Sequence, residues 1–265
     1  MSDHNEILSY NREAWNKQVS KGNRWTVPVS SSEIEKAQQG DWKIVLTPTK
    51  PVPREWFPDF SRRNVEVLLL AGGGGQQAPI LAAAGASVTV FDNSDAQLQQ
   101  DQMVAERDGL QLTTQQGDMT DLSCFEDERF DLIFHPCSNC FVSNIRPVWK
   151  EAYRVLKFGG ELLSGFTNPV RYLFDDDLLE AGTMKVAYKI PYSDLTSISE
   201  ELKNRYENEN EPRCFGHTLD DQLAGQIDAG FAITGFFEDR YETDNDVLSQ
   251  FIDSFIATKA TKLRN

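Results

Sequence analysis

The chain has 265 residues, a formal net charge of −15, and 40% hydrophobic and 25% charged residues. That length buries a full core, and the acidic balance argues against nucleic acid as a partner, because phosphate binding recruits a basic stripe. No apolar run approaches the roughly 20 residues that span a bilayer, no basic-then-apolar leader opens the chain, and Cys124, Cys137, Cys140 and Cys214 are too few for a disulfide framework, so the cytoplasm is the expected compartment and no membrane contact is expected.

Residues 1–60 lack a long apolar period but carry four tryptophans and several prolines. Asn11 to Trp15 reads as the start of a helix, and the prolines between Thr47 and Pro58 exclude a helix or central strand. The segment is read as an N-terminal lid rather than a domain. From residue 61 a regular alternation begins. Val65 to Leu70 is an apolar run that stops at Gly72-Gly73-Gly74-Gly75, the pattern of a buried parallel strand ending in a glycine loop. An alanine-rich helix follows over 76–84 with Gly85 after it, then a strand over 87–91. Ser94 with Gln97 predicts a capping box for a helix ending near Gly109. Strands are expected over 110–114 and 130–134. A helix is expected from Pro147 through Lys157, ended by Gly159-Gly160, with a fifth strand over 161–166.

An irregular, aromatic-studded stretch over 169–215 reads as an inserted cap, and a helix over 218–229 with strands near 231–237 and 255–258 closes the chain. The rhythm predicts a Rossmann-like α/β domain over 61–265, with a mostly parallel sheet and helices on both faces.

The glycine loop is the strongest chemical signal. Without side chains its backbone can approach a ligand closely, and the next helix would offer free N–H groups to an anionic part of it. Gly73-x-Gly75-x-x-Ala78 fits a dinucleotide fingerprint, and Ala71-x-Gly73-x-Gly75 fits a methyltransferase-style loop equally well. Asp92, with Asn93 beside it, ends the second strand, where a carboxylate can accept from both ribose hydroxyls. Asp118 and Met119, past the third strand, suit an adenine amino group and ring. Helix capping and a surface turn are the plainer readings of the two acids.

Taken together, Val67-Leu-Leu-Leu-Ala-Gly-Gly-Gly-Gly75, Val88-Thr-Val-Phe-Asp92, Gln116-Gly-Asp-Met119, Phe130-Asp-Leu-Ile-Phe134 and Glu151 to Gly160 resemble the class I S-adenosylmethionine-dependent methyltransferases. The likeness is to the small-molecule type related to ubiquinone and menaquinone biosynthesis, and it runs from about Val65 to Thr167. Gly230-Phe231 and Phe255 to Thr258 resemble that family's final strand pair, which includes a reversed strand. The resemblance implies S-adenosylmethionine as cofactor, with contacts at Ala71, Gly72, Gly73, Gly75, Asp92, Asn93, Asp118, Met119 and His135. Two positions depart from the family pattern: Leu69 stands where an acid is usual, and Phe158 where a proline is usual.

Methyl transfer from a sulfonium needs mainly alignment and exclusion of water, and a base only when the acceptor must first lose a proton. His135, at the end of the fourth strand, is the candidate base, although a backbone contact alone is the simpler expectation there. Ser138 and Asn139, Asn168, and the aromatics Trp25, Tyr172 and Tyr192 are candidates to hold a small-molecule acceptor, with turn formation and packing as the plainer alternatives. Cys137-x-x-Cys140 has metal-pair spacing but lacks a second pair, so no metal is expected. Tyr153-x-x-x-Lys157 has dehydrogenase spacing, but both residues are expected on a final helical turn. A cofactor-binding protein without catalysis and a nicotinamide-dependent oxidoreductase are the alternatives to a methyltransferase. The oligomeric state is not readable.

Overall fold

The computed structural model describes residues 2–61, 64–242 and 246–264; the sequence gathers acidic residues over 238–246, the pattern of a solvated surface, and 243–245 of that run lie outside the described residues. Helix α1 (Ser2–Ser20) opens the chain, and α2 (Ser31–Gln38) follows behind a capping box made by Ser30 and Glu33. The alternating part runs β1 (Glu66–Leu70), α3 (Gln77–Ala83), β2 (Ser87–Asp92), α4 (Asp95–Asp108), β3 (Leu112–Gln116), β4 (Phe130–His135), α5 (Arg146–Val155) and β5 (Leu156–Thr167). The stretch expected as a cap contains α6 (Asp176–Glu180), β6 (Tyr192–Ser193), α7 (Glu200–Glu209) and β7 (Phe215–Gly216). α8 (Gly225–Ala229), β8 (Ala232–Asp239) and β9 (Phe255–Thr261) complete the chain.

Seven strands form one sheet in the order β3-β2-β1-β4-β5-β9-β8. The pairs β1–β2, β2–β3, β1–β4 and β4–β5 are parallel, while β9 pairs antiparallel with both β5 and β8. The order reverses at β1 and β4, so the edge above their C-terminal ends is where an open sheet of this kind holds a ligand.

Alternation along β1 divides the core. Val67 and Leu69 join Leu81, Leu98 and Val104 of α3 and α4 on one face. Leu68 and Leu70 join Val148, Trp149 and Ala152 of α5 on the other. Among the described residues, no helix is long and apolar enough to cross a membrane.

Three expectations are corrected. Asn11 to Trp15 lies inside α1 rather than at its start. The first 60 residues are more than a lid, since Ile34, Ala37, Leu46, Trp56 and Phe60 belong to the main core. Lys157 to Gly160 open β5 instead of closing α5: Gly159 N donates to Lys262 O and Lys262 N to Gly160 O, and Lys157 Nζ meets Asp131 Oδ2 at 2.8 Å. The Tyr153–Lys157 spacing therefore does not lie on one helical turn.

Asp239, buried at the end of β8, fastens the proline-rich segment. It accepts from Thr47 Oγ1 (2.7 Å), Thr49 N (2.9 Å), Thr49 Oγ1 (2.5 Å) and Lys50 N (2.9 Å). Burial raises its pKa, but these donors outweigh burial and hold it below the ordinary carboxyl range. Asp239→Ala should cost about 2–4 kcal/mol in urea unfolding, because several donors lose a charged acceptor. With the folded pKa depressed, this contribution is present above the unfolded-state value and lost as pH falls through the folded value.

Candidate active site

A cavity of about 260 Å³ opens above the C-terminal ends of β1, β2 and β4. Its floor comes from the residues the sequence motifs point to: Ala71, Gly72 and Gly73 after β1, Asp92 and Asn93 at the end of β2, and Asp118 and Met119 after β3. Phe91, Phe141 and Trp15 add apolar walls. Trp25 and Ser138 also line it, with Val45, Leu46, Thr47, Pro48, Tyr241 and Phe255 around them. Ala71 holds a left-handed backbone (φ +51°), an unusual conformation for a residue with a Cβ, at the point where β1 turns into the loop.

The two acids differ in environment. Asp92 Oδ1 accepts from Ser94 N at 2.7 Å, and burial pushes its pKa up to about 7 against the pull of the Ser94 and Asn93 amides. Asp118 is already engaged: Thr120 N donates to Oδ1 (2.9 Å), while Thr120 Oγ1 (2.6 Å) and His4 Nε2 (2.5 Å) meet Oδ2. An incoming amino group at Asp118 therefore has to compete with α1.

The glycine loop departs most from expectation. Its N–H groups are met by side chains: Gly73 N by Gln77 Oε1 (3.2 Å), Gly74 N by Gln97 Oε1 (2.9 Å) and Gly75 N by Asp101 Oδ1 (2.8 Å). Ser94 caps α4 through Gln97 N as expected, but the Gln97 side chain reaches the loop instead of turning back to complete the box. The other side of the loop carries a strap of residues 24–29. Val29 N donates to Gly75 O (2.8 Å), and Gln76 Nε2 donates to the carbonyls of Arg24 and Val27. A Cβ at Gly73 would lie 2.7 Å from Trp25 O, and one at Gly75 would lie 2.8 Å from Pro28 Cβ. These glycines serve chain packing as well as any ligand.

Helix α1 crosses the cavity from the sheet side to the cap. Asn93 Nδ2 donates to Leu8 O (2.7 Å), Asn11 Nδ2 to Phe141 O (2.9 Å) and Arg213 O (3.1 Å), and Arg213 N to Asn11 Oδ1 (2.8 Å).

Six of the candidate residues named from the sequence, Tyr192 among them, lie outside this cavity lining. Gly75 turns away under Pro28. His135 is fully buried beneath the floor, its Nδ1 2.8 Å from Leu70 O and its ring against Trp149. Burial lowers its pKa to about 4, so the ring is neutral at physiological pH and Nδ1 carries the proton donated to that carbonyl. Asn139 exchanges hydrogen bonds with Gln222, and Asn168 caps the turn at Val170. Tyr172 stacks on Tyr192 at 5.4 Å, beside Gly216. Asn139, Asn168 and Tyr172 are thus taken up by Gln222, Val170 and Tyr192.

Sequence reasoning missed Gln97 and Asp101. The available signal was their spacing, which turns both toward the core on the face that carries Leu98, Val104 and Ala105. It also missed Leu8, Tyr241 and Phe255, which local motifs do not mark. Among the described residues, no group of three or more His, Cys, Asp or Glu side chains is arranged to hold a metal.

Residues 68–164 match a family model described as a methyltransferase domain. A Bacillus subtilis (strain 168) protein named as an uncharacterized methyltransferase, YbaJ, is 52% identical over 98% of this chain and 100% of its own length. Among solved structures, an S-adenosylmethionine-dependent methyltransferase from Mesorhizobium loti is similar at TM-score 0.58 and 18% identity, covering 78% of this chain and 94% of that one. One from Methanosarcina mazei reaches TM-score 0.55 at 19% identity, covering 80% and 96%. At those identities the structures speak for the fold.

Proposed function

The chain belongs to the methyltransferases, and from that premise we propose that its cavity binds S-adenosylmethionine and directs the methyl group to a small-molecule acceptor. One observation carries the reading: Asp92 and the Asp118–Met119 turn converge with Ala71 to Gly73 on a single cavity. The sheet order sets how such a ligand would lie. With adenine over β3 and ribose at Asp92 on β2, the rest of the molecule extends over β1 toward β4.

The residues suit the cofactor. Asp92 is a buried carboxyl whose raised pKa reflects the cost of ionising away from water, and paired hydroxyl donors offset that cost. Asp92 and Asp118 are the charged lining residues among those described, so the cavity favours a ligand with hydroxyl and cationic groups. S-adenosylmethionine supplies an electrophilic methyl on its sulfonium. The protein's part is to hold the acceptor in line and keep water out, an alignment worth up to roughly 7–11 kcal/mol in well-oriented reactions.

Residues 1–60 act as lid and wall. Trp15, Trp25 and Val45 to Pro48 close the side opposite the sheet, and the cap meets α1 at Arg213. Around Trp25, Tyr241 and Phe255 the lining is apolar and aromatic, which supports a neutral, ring-bearing acceptor of the kind handled by the quinone-biosynthesis type. His135 is not assigned as base. Its burial supports a structural role joining β4 to β1.

Titration calorimetry with S-adenosylhomocysteine tests the cofactor, with micromolar binding expected. Release of S-adenosylhomocysteine across a panel of aromatic acceptors then tests catalysis. A folded protein that binds no S-adenosylhomocysteine overturns the reading. Binding without turnover on any acceptor favours a sensor.

A further inference from the structure

Resting on that reading, we propose that Asp101 is a positioning residue for the cofactor, taking over from helix α4 the anchoring of the glycine loop at the methionyl end of the ligand. In the family pattern an acid belongs where this chain has Leu69. Leu69 is fully buried in the core and offers the loop nothing polar. The missing carboxyl returns from another element. Asp101 is 1% exposed, and its Oδ1 receives Gly75 N at 2.8 Å. Gln97, one helical turn earlier, receives Gly74 N at 2.9 Å, and a Cβ on Gly74 would lie 2.4 Å from Gln97 O. The loop is thus pressed onto α4 and held by two of its side chains.

A buried acid with no cationic partner among the described residues is a costly choice, since an apolar side chain of that size would stabilise the core more. Burial drives the Asp101 pKa well above the ordinary carboxyl range, with the Gly75 amide opposing and Asp92 adding to the rise. What the loop uses is an acceptor oxygen, Oδ1 facing Gly75 N, a role an asparagine amide oxygen reproduces. What the acid fixes is the curve of residues 73–75 between the strap and α4, and through it the wall at Ala71 to Gly73.

Two ligands separate positioning from plain stability: S-adenosylhomocysteine, and 5′-methylthioadenosine, which keeps the nucleoside and lacks the amino-acid chain. Asp101→Ala should raise the dissociation constant for S-adenosylhomocysteine by about tenfold or more and leave that for 5′-methylthioadenosine within about threefold. Asp101→Leu, which fills the space, should do the same and covers the case in which the alanine variant does not fold. Asp101→Asn should restore S-adenosylhomocysteine binding to within about threefold of the parent. Asp92→Ala, acting at the ribose, should weaken both ligands.

Unchanged S-adenosylhomocysteine affinity in a folded Asp101→Ala or Asp101→Leu protein overturns the assignment while leaving the functional reading intact. Equal weakening of both ligands by these variants also overturns it, because that is the signature of a generally loosened fold. A parent protein that binds neither ligand overturns the functional reading, and the assignment with it.

Discussion

Asp92→Ala is expected to weaken S-adenosylhomocysteine binding by more than about tenfold, because a buried charged acceptor of two hydroxyl donors contributes roughly 1.5–3 kcal/mol. The position is strong for three reasons. Asp92 ends a strand paired with β1 as far as Phe91 and with β3 through Asp92 itself, opposite Gln116. Its carboxyl is oriented by Ser94 N. The cavity around it is largely apolar, with Phe91, Met119 and Phe141 close by, so water does not replace the lost acceptor cheaply. Calorimetry on a variant with native circular dichroism measures the effect. Unchanged affinity would remove Asp92 from the site.

The same carboxyl predicts a proton-linked affinity. Its pKa in the ligand-free protein is about 7, and ribose hydroxyls bind best to the ionised form. Affinity should therefore rise about tenfold between roughly pH 6 and pH 8, with about one proton released per ligand at the lower pH and almost none at the higher. Calorimetry in buffers of different ionisation enthalpy counts that proton. The ligand-free protein should show the opposite trend. Between about pH 4 and pH 7 the folded state holds a proton that the unfolded chain has lost, so this group's contribution to stability declines as pH rises through that window. Asp92→Asn should flatten both profiles. A slope that survives in the asparagine variant would remove Asp92 as its source.

Much of the sheet was legible because its signals are local. Apolar runs mark β1, β2 and β4, a glycine stop ends β1, and Gly109 and Gly230 adopt the left-handed C-caps that end α4 and α8. Boundaries slipped where a distant partner decides. Gly159-Gly160 looks like a helix stop, yet those residues pair with Lys262, more than a hundred positions away, and become strand. The contribution of residues 34–60 to the core was hidden because Ile34, Leu46 and Trp56 sit on separate short pieces with no shared period.

The floor of the candidate site was readable for a related reason. Strand ends in a parallel sheet place Ala71, Asp92 and Asp118 together whatever the loops do. Walls that depend on tertiary return of the chain were not readable. Tyr241 lies just past β8, Phe255 opens β9, and Trp15 comes from α1. Asn139, Asn168 and Tyr172 sit near the right strand ends, but Gln222, Val170 and Tyr192 claim their side chains.

The bonds made by the glycine loop also bear on coenzyme choice. A dinucleotide lays its pyrophosphate on amide hydrogens at this bend, and here Gln77, Gln97 and Asp101 have taken them. One of the three is the acid Asp101, so a doubly negative bridge meets acceptors where it needs donors. Nicotinamide coenzymes are thereby disfavoured by a bend whose glycine spacing alone would admit them, and NADH should give no heat of binding under conditions where S-adenosylhomocysteine does.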